Sequence, residues 1–130
     1  MTSHAAPTDL APPDSLAHLA ARLQAFAQAR DWGRFHAPKN LASALVVEAG
    51  ELLEPFQWLS EQQSRELPPD ARDAVALEMA DVLLYLVQLG TVLGVDVVAA
   101  AHRKIDLNEG RFPPVAPQAP AAPGAEGHVA

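Results

Sequence analysis

Four acidic residues interrupt two apolar stripes with the same spacing: Glu48 and Glu51, then Glu78 and Asp81. Each pair is i,i+3. On a helix that turns about 100° per residue, the two carboxylates of a pair lie some 60° apart with roughly 5–6 Å between Cβ atoms, so they converge on one point. Glu48 falls within the run Leu41, Ala44, Leu45 and Leu52, and Glu78 and Asp81 fall among Val75, Leu77, Val82 and Leu83. Burying four ionised carboxylates without a partner is prohibitively costly. Basic residues are scarce nearby: Arg72 precedes Glu78 by about two turns and Arg65 lies in a connector. A hard divalent cation is the natural counter-charge, and magnesium in particular takes a few carboxylates together with water and substrate phosphates. The opposing reading, a solvated acidic face, describes most single pairs of this kind, and two matched pairs inside apolar stripes argue against it. A di-iron bundle would need Glu-x-x-His, and none of the histidines (His4, His18, His36, His102, His128) follows Glu48 or Glu78 by three.

The elements that must position these acids are helices. A first segment runs from Asp14 or Ser15, an N-cap residue type, through Leu16, Leu19, Leu23 and Phe26 to about Ala29. Gly33 and Pro38 predict an irregular connection over residues 31–39, rich in aromatics. A second helix is expected from about Asn40 to Leu59, kinked where Pro55 removes a backbone donor. After a polar connector over residues 60–67, Pro68 and Pro69 open a third helix that runs to about Leu93 and is apolar nearly all round in its second half. Gly94 closes it, and Asp96 caps a last helix that ends near Gly110. The short connection between the second and third helices makes them antiparallel neighbours and brings the acid pairs face to face.

Composition agrees with an all-α fold of four to five helices. The 130 residues include 49% hydrophobic but only 5% aromatic side chains, a mixture suited to helix-on-helix packing. One domain over residues 14–112 is expected, flanked by disordered tails over 1–13 and 113–130, the latter Pro/Ala/Gly-rich with few large apolar side chains. A net charge of −7 argues against a nucleic-acid polymer as partner, since such binders need a basic face. The absence of cysteine excludes disulfides, thiolate metal sites and cysteine nucleophiles. No uncharged stretch of 18 apolar residues and no leader-like start occur, so neither a membrane partner nor export is expected and the reading is cytoplasmic. Two or three short neighbours cannot enclose a helix that is apolar on all sides, so a homo-oligomer, dimer or tetramer, is expected.

Beyond the acids, ordered blocks carry a likeness: Arg30-Asp31-Trp32, Phe35-His36, Pro38-Lys39-Asn40-Leu41, Glu48-Ala49-Gly50-Glu51-Leu52, Phe56-Gln57-Trp58, Asp81-Val82-Leu83-Leu84-Tyr85-Leu86, and Lys104-Ile105-Asp106-Leu107-Asn108 with Arg111-Phe112-Pro113. With these blocks, residues 26–113 resemble the all-α nucleoside triphosphate pyrophosphohydrolases of the MazG-like superfamily, and its dCTP pyrophosphatase branch in particular. Val47 before Glu48 departs from the doubled glutamate of many members, Pro55 stands where the helix normally runs on, and Glu109-Gly110 interrupts a stretch that is often basic.

The resemblance implies hydrolysis between the α and β phosphates, giving a monophosphate and pyrophosphate, on dCTP or a 5-modified dCTP. It implies Mg2+, with Mn2+ as a substitute, held by Glu48, Glu51, Glu78 and Asp81, with Glu51 rather than Glu48 the glutamate that handles the attacking water. Lys104, Asn108 and Arg111 would meet phosphate oxygens, and Trp32, Trp58 and Tyr85 would hold the base with His36 and Asn40 nearby. It also implies dimers paired into tetramers with the site near a subunit interface. Without the resemblance, both tryptophans read as core anchors and the basic residues as a solvated helix end at the negative pole of the helix. The alternatives are the same chemistry on dUTP or on a broad range of triphosphates, and a non-catalytic helical scaffold.

Overall fold

A computed structural model describes Pro12 and residues 15–116, and among these every regular element is helical. The expected tails therefore lie almost wholly outside the described residues, as does Asp14; Pro113–Ala116 carry no regular structure. The elements are α1 (Leu16–Ala29), a 3-10 turn (Trp32–Phe35), α2 (Pro38–Leu53), α3 (Glu61–Arg65), α4 (Pro69–Leu93) and α5 (Val97–Arg111).

The ends of the helices follow local chemistry. Ser15 accepts from the His18 N–H at 3.1 Å and starts α1. Pro38 and Pro69 occupy the first turns of α2 and α4, where a missing N–H costs nothing. Gly94, at φ 66°, stops α4 in the left-handed conformation, with Gly94 N–H donating to Thr91 O and Val95 N–H to Gly90 O. Asp96 then accepts from Ala99 N–H at 3.0 Å and opens α5.

Three boundaries differ from expectation. The second helix stops at Leu53 instead of bending on to Leu59, because Pro55 supplies no donor and the N–H groups of Phe56 and Gln57 turn back to Leu53 O. That helix begins at Pro38 rather than Asn40, because a proline at the first helical position lacks only a donor that the helix start leaves unused. The connector over residues 60–67 contains α3, held by a capping box in which Ser60 and Gln63 satisfy each other's backbone N–H groups. Within the irregular 31–39 stretch, residues 32–35 form one 3-10 turn behind Asp31, which has a positive φ of 53°.

The packing centre is α2 against α4, with α1 laid on α4. Leu41 shares a cavity with Leu84 and Tyr85, whereas Glu48 meets Glu78 and Asp81, so the residue order reverses across the pair and the helices are antiparallel. Leu41, Val75, Val87 and Ala27 are fully buried, and the rest of the Leu41–Leu52 stripe is half-buried. Along α4, the only described helix long and apolar enough to span a membrane by length and composition, Leu77, Met79, Leu83 and Leu86 remain exposed.

In contrast, α5 has no comparable packing against another element. Its foot is tightly fitted: a Cβ on Gly90 would lie 2.8 Å from Val97 Cγ1 and 3.1 Å from Val95 O, so only glycine admits α5 this close to α4. Val98, Ile105 and Leu107 beyond it are exposed.

Candidate metal centre and nucleotide pocket

The carboxylates of Glu48 on α2 and of Glu78 and Asp81 on α4 converge, with one oxygen from each within 4.8 Å of the other two. All three residues are half-buried. Glu48 Oε2 and Glu78 Oε2 are shut off from solvent and have no hydrogen-bond partner among the described residues. Glu51, one turn further along α2, is more exposed and stands at the edge of this triad.

The electrostatics match the crowding. The neighbouring Glu51 carboxyl raises the Glu48 pKa first, and desolvation and the charges of Asp81 and Glu78 add to it. For Glu78 desolvation leads, followed by the charges of Glu51, Asp81 and Glu54. Orphaned carboxylate oxygens that repel one another, with no Lys or Arg among the salt bridges to them, form a hard oxygen donor set suited to a divalent cation. The residues present therefore fit such an ion.

Beside the triad a cavity of about 210 Å3 is lined by Phe26, Trp32, His36, Leu41, Asp81, Tyr85 and Gln88, among others. Phe26 meets Trp32 edge to face at 5.5 Å, and the Arg30 guanidinium lies over the Phe26 ring at 3.6 Å. Asn40 borders the adjoining cavity with Trp32, His36 and Tyr85, and its Nδ2 donates to Phe35 O at 3.2 Å, tying the 3-10 turn to α2. One of its donors is thus structural, which leaves its amide oxygen for another partner.

Trp32, His36, Asn40, Tyr85 and Asp81 are thus gathered in one place. Trp58 is not: it projects from the turn after α2, 87% exposed, and lines neither cavity. Nor are Lys104, Asn108 and Arg111, which belong to the unpacked α5 and line neither cavity; the Arg111 guanidinium rests over its neighbour Phe112. Of the other lining residues, Phe26 is expected from the sequence only on the apolar face of α1, and Gln88 is not expected at all. Gln88 could have been noticed as a lone amide in an apolar run, seven residues after Asp81.

An all-α bundle that places acid pairs from two antiparallel helices beside an aromatic cavity defines a helical, carboxylate-centred class. Comparison with known proteins narrows it, since the MazG-like family model matches residues 44–114, and the chain belongs to the MazG-like family. It is 47% identical over 90 residues to mouse dCTP pyrophosphatase 1, covering 68% of this chain and 53% of that protein. The rat dCTP pyrophosphatase 1 is 40% identical over 111 residues, covering 84% and 65% respectively. The chain thus spans between half and two thirds of the length of these relatives. A solved pyrophosphatase from Archaeoglobus fulgidus superposes with a TM-score of 0.72 at 37% identity, over 76% of this chain and 93% of that one.

Proposed function

We propose that this chain hydrolyses a nucleoside triphosphate between its α and β phosphates, releasing a monophosphate and pyrophosphate, with dCTP or a 5-modified dCTP preferred. The carrying observation is the convergence of Glu48, Glu78 and Asp81 with two buried, unpartnered carboxylate oxygens beside an aromatic cavity. The likeness to the dCTP pyrophosphatases supports the base preference.

In this reading Glu48, Glu51, Glu78 and Asp81 hold Mg2+, for which Mn2+ substitutes. The ion supplies charge neutralisation and Lewis-acid polarisation at the phosphates. Glu51, the most exposed of the four, is the carboxylate placed to orient the attacking water and accept its proton. Trp32 and Tyr85 offer flat faces to the base, and His36 and Asn40 border the same space.

The phosphate-facing cations Lys104 and Arg111, with Asn108, come from α5, and Trp58 from its exposed turn. Because neither element packs onto its own site, a second copy of the chain brings them in, and the exposed apolar residues of α4 and α5 supply the surface for that association. The enzyme then works as a homo-oligomer in the cytoplasm, on nucleotides rather than nucleic-acid polymers.

Pyrophosphate release from a panel of dNTPs and NTPs, including 5-methyl-dCTP, is the test, run with Mg2+ and with EDTA. Cation-dependent turnover giving a monophosphate is expected, with Glu48→Gln and Asp81→Asn each lowering kcat/KM at least about a hundredfold. A preference for dUTP or for all triphosphates would revise the base assignment alone. No turnover on any nucleotide, with Glu48→Gln as stable as the parent in both media, would leave a non-catalytic helical scaffold.

A further inference from the structure

Gln88 is the one polar residue in the buried core of the described chain, only 8% exposed, and its side chain borders the cavity that holds Trp32, His36, Tyr85 and Asp81. Among the described residues no hydrogen bond reaches its amide. Its nitrogen and oxygen are also not among the atoms sealed off from solvent, and the residue borders both this cavity and a second one that it shares with Gln28, His36 and Thr91. An amide enclosed this far and still without a protein partner is left to water, which a ligand with the complementary donor or acceptor can replace.

Position adds a direction. Asp81, Tyr85 and Gln88 stand at i, i+4 and i+7 on α4, within about 60° of one another around the helix, and Gln88 is about 10 Å along the axis from Asp81. That rise is comparable to the length of a nucleoside from its 5′ phosphate to the far edge of its base. The cavity, at about 210 Å3, is below the roughly 300–1,000 Å3 of sites that enclose a whole drug-sized ligand, and it suits a single ring whose phosphates stay outside. One face of α4 thus presents, in order, a carboxylate, an aromatic ring and a buried amide.

We propose that Gln88 is the specificity-determining residue for the base: its amide oxygen accepts a hydrogen bond from the 4-amino group of a cytosine seated in this cavity. The inference rests on the nucleotide pyrophosphohydrolase reading above and assigns the edge of the base to one side chain. Gln88 makes no contact with the phosphates and holds no cation.

The test compares dCTP with its analogue lacking the 4-amino group, the pyrimidin-2-one deoxynucleoside triphosphate, on the full chain with Mg2+. The parent protein is expected to favour dCTP by about tenfold or more in kcat/KM. Gln88→Met, similar in volume but without the amide, brings that preference close to one, mainly through KM for dCTP, and leaves the Mg2+-induced rise in Tm unchanged. Gln88→Glu keeps an acceptor oxygen in either protonation state and retains the preference. An equal preference in the parent and in Gln88→Met, or an equal loss on both substrates in both variants, would overturn the assignment while leaving the enzymatic reading intact. A parent that hydrolyses neither compound would remove the enzymatic reading, and the assignment with it.

Discussion

The α2/α4 pair and α5 are opposite solutions within one chain. The pair carries the acids and is folded in on itself: Leu41 and Val75 are buried, and Glu48 is brought to Glu78 and Asp81 by the same antiparallel contact that buries them. By contrast α5 carries Lys104, Asn108 and Arg111, is capped at its start by Asp96, and packs along its length against nothing comparable. Packing therefore brings the acids together within one chain, while the helix that bears the basic residues is held by its Asp96 cap and by the fit of Val97 at Gly90. The two regions are held differently, the α2/α4 pair by mutual burial along its length and α5 by its N-terminal cap and the fit at its foot.

Substitutions at equivalent apolar residues probe that contrast most strongly. Leu41→Ala is expected to cost about 2–5 kcal/mol of unfolding free energy. Leu107→Ala, at an exposed position of α5, should stay within about 0.5 kcal/mol in dilute solution. Chemical denaturation at low and high protein concentration measures both, and a cost at Leu107 that grows with concentration would sharpen the assignment of α5 to an interface. An equal loss at both sites in dilute solution would break the comparison.

The carboxylates give a smaller, pH-dependent effect. Glu48 and Glu78 have pKa values raised above those of the unfolded chain, so the folded form keeps protons that the unfolded form has released. Stability without a cation therefore falls as pH rises from the ordinary carboxylate range through the raised values, then levels off. A divalent cation opposes this once the carboxylates are ionised, so Tm with Mg2+ should exceed Tm with EDTA by several degrees near pH 8 and by progressively less as pH falls toward the ordinary carboxylate range. Thermal melts in the two media decide it, and a gap that is constant with pH would detach the cation from these groups.

The smallest effect concerns the start of α5. Asp96→Ala removes the acceptor for Ala99 N–H and should cost about 1 kcal/mol, seen as faster amide exchange in the first turn of α5 with α2 and α4 unaffected.

What could be read in advance follows the same division. Periodicity and capping are local, so Gly94 and Asp96, and Ser15 as one of two candidates, were legible as helix ends, and of the four spaced acids Glu48, Glu78 and Asp81 converge while Glu51 stands outside the cluster. Pro55 was read correctly as a missing donor but not as a stop, because whether a helix bends or ends there depends on whether a later turn packs; here Phe56 and Gln57 turn back to Leu53 instead. The Ser60/Gln63 capping box was present in the sequence and was passed over as polar connector. Which chemistry-bearing residues meet is non-local: Trp32 and Trp58 look alike as letters, yet one lines the cavity and the other projects from a turn. Gln88 carries no local signal beyond being an amide in an apolar run, and only the placement of α1 and the 3-10 turn beside it makes it a cavity residue.

The tight fit at Gly90 makes α5 a lever. At 15 residues α5 reaches about 22 Å from its foot, so a tilt of only about 10° there displaces its tip by about 4 Å. A single methyl group added at Gly90, pressing on Val97, would re-aim Lys104 and Arg111 from a distance, without touching them or any residue of the cavity.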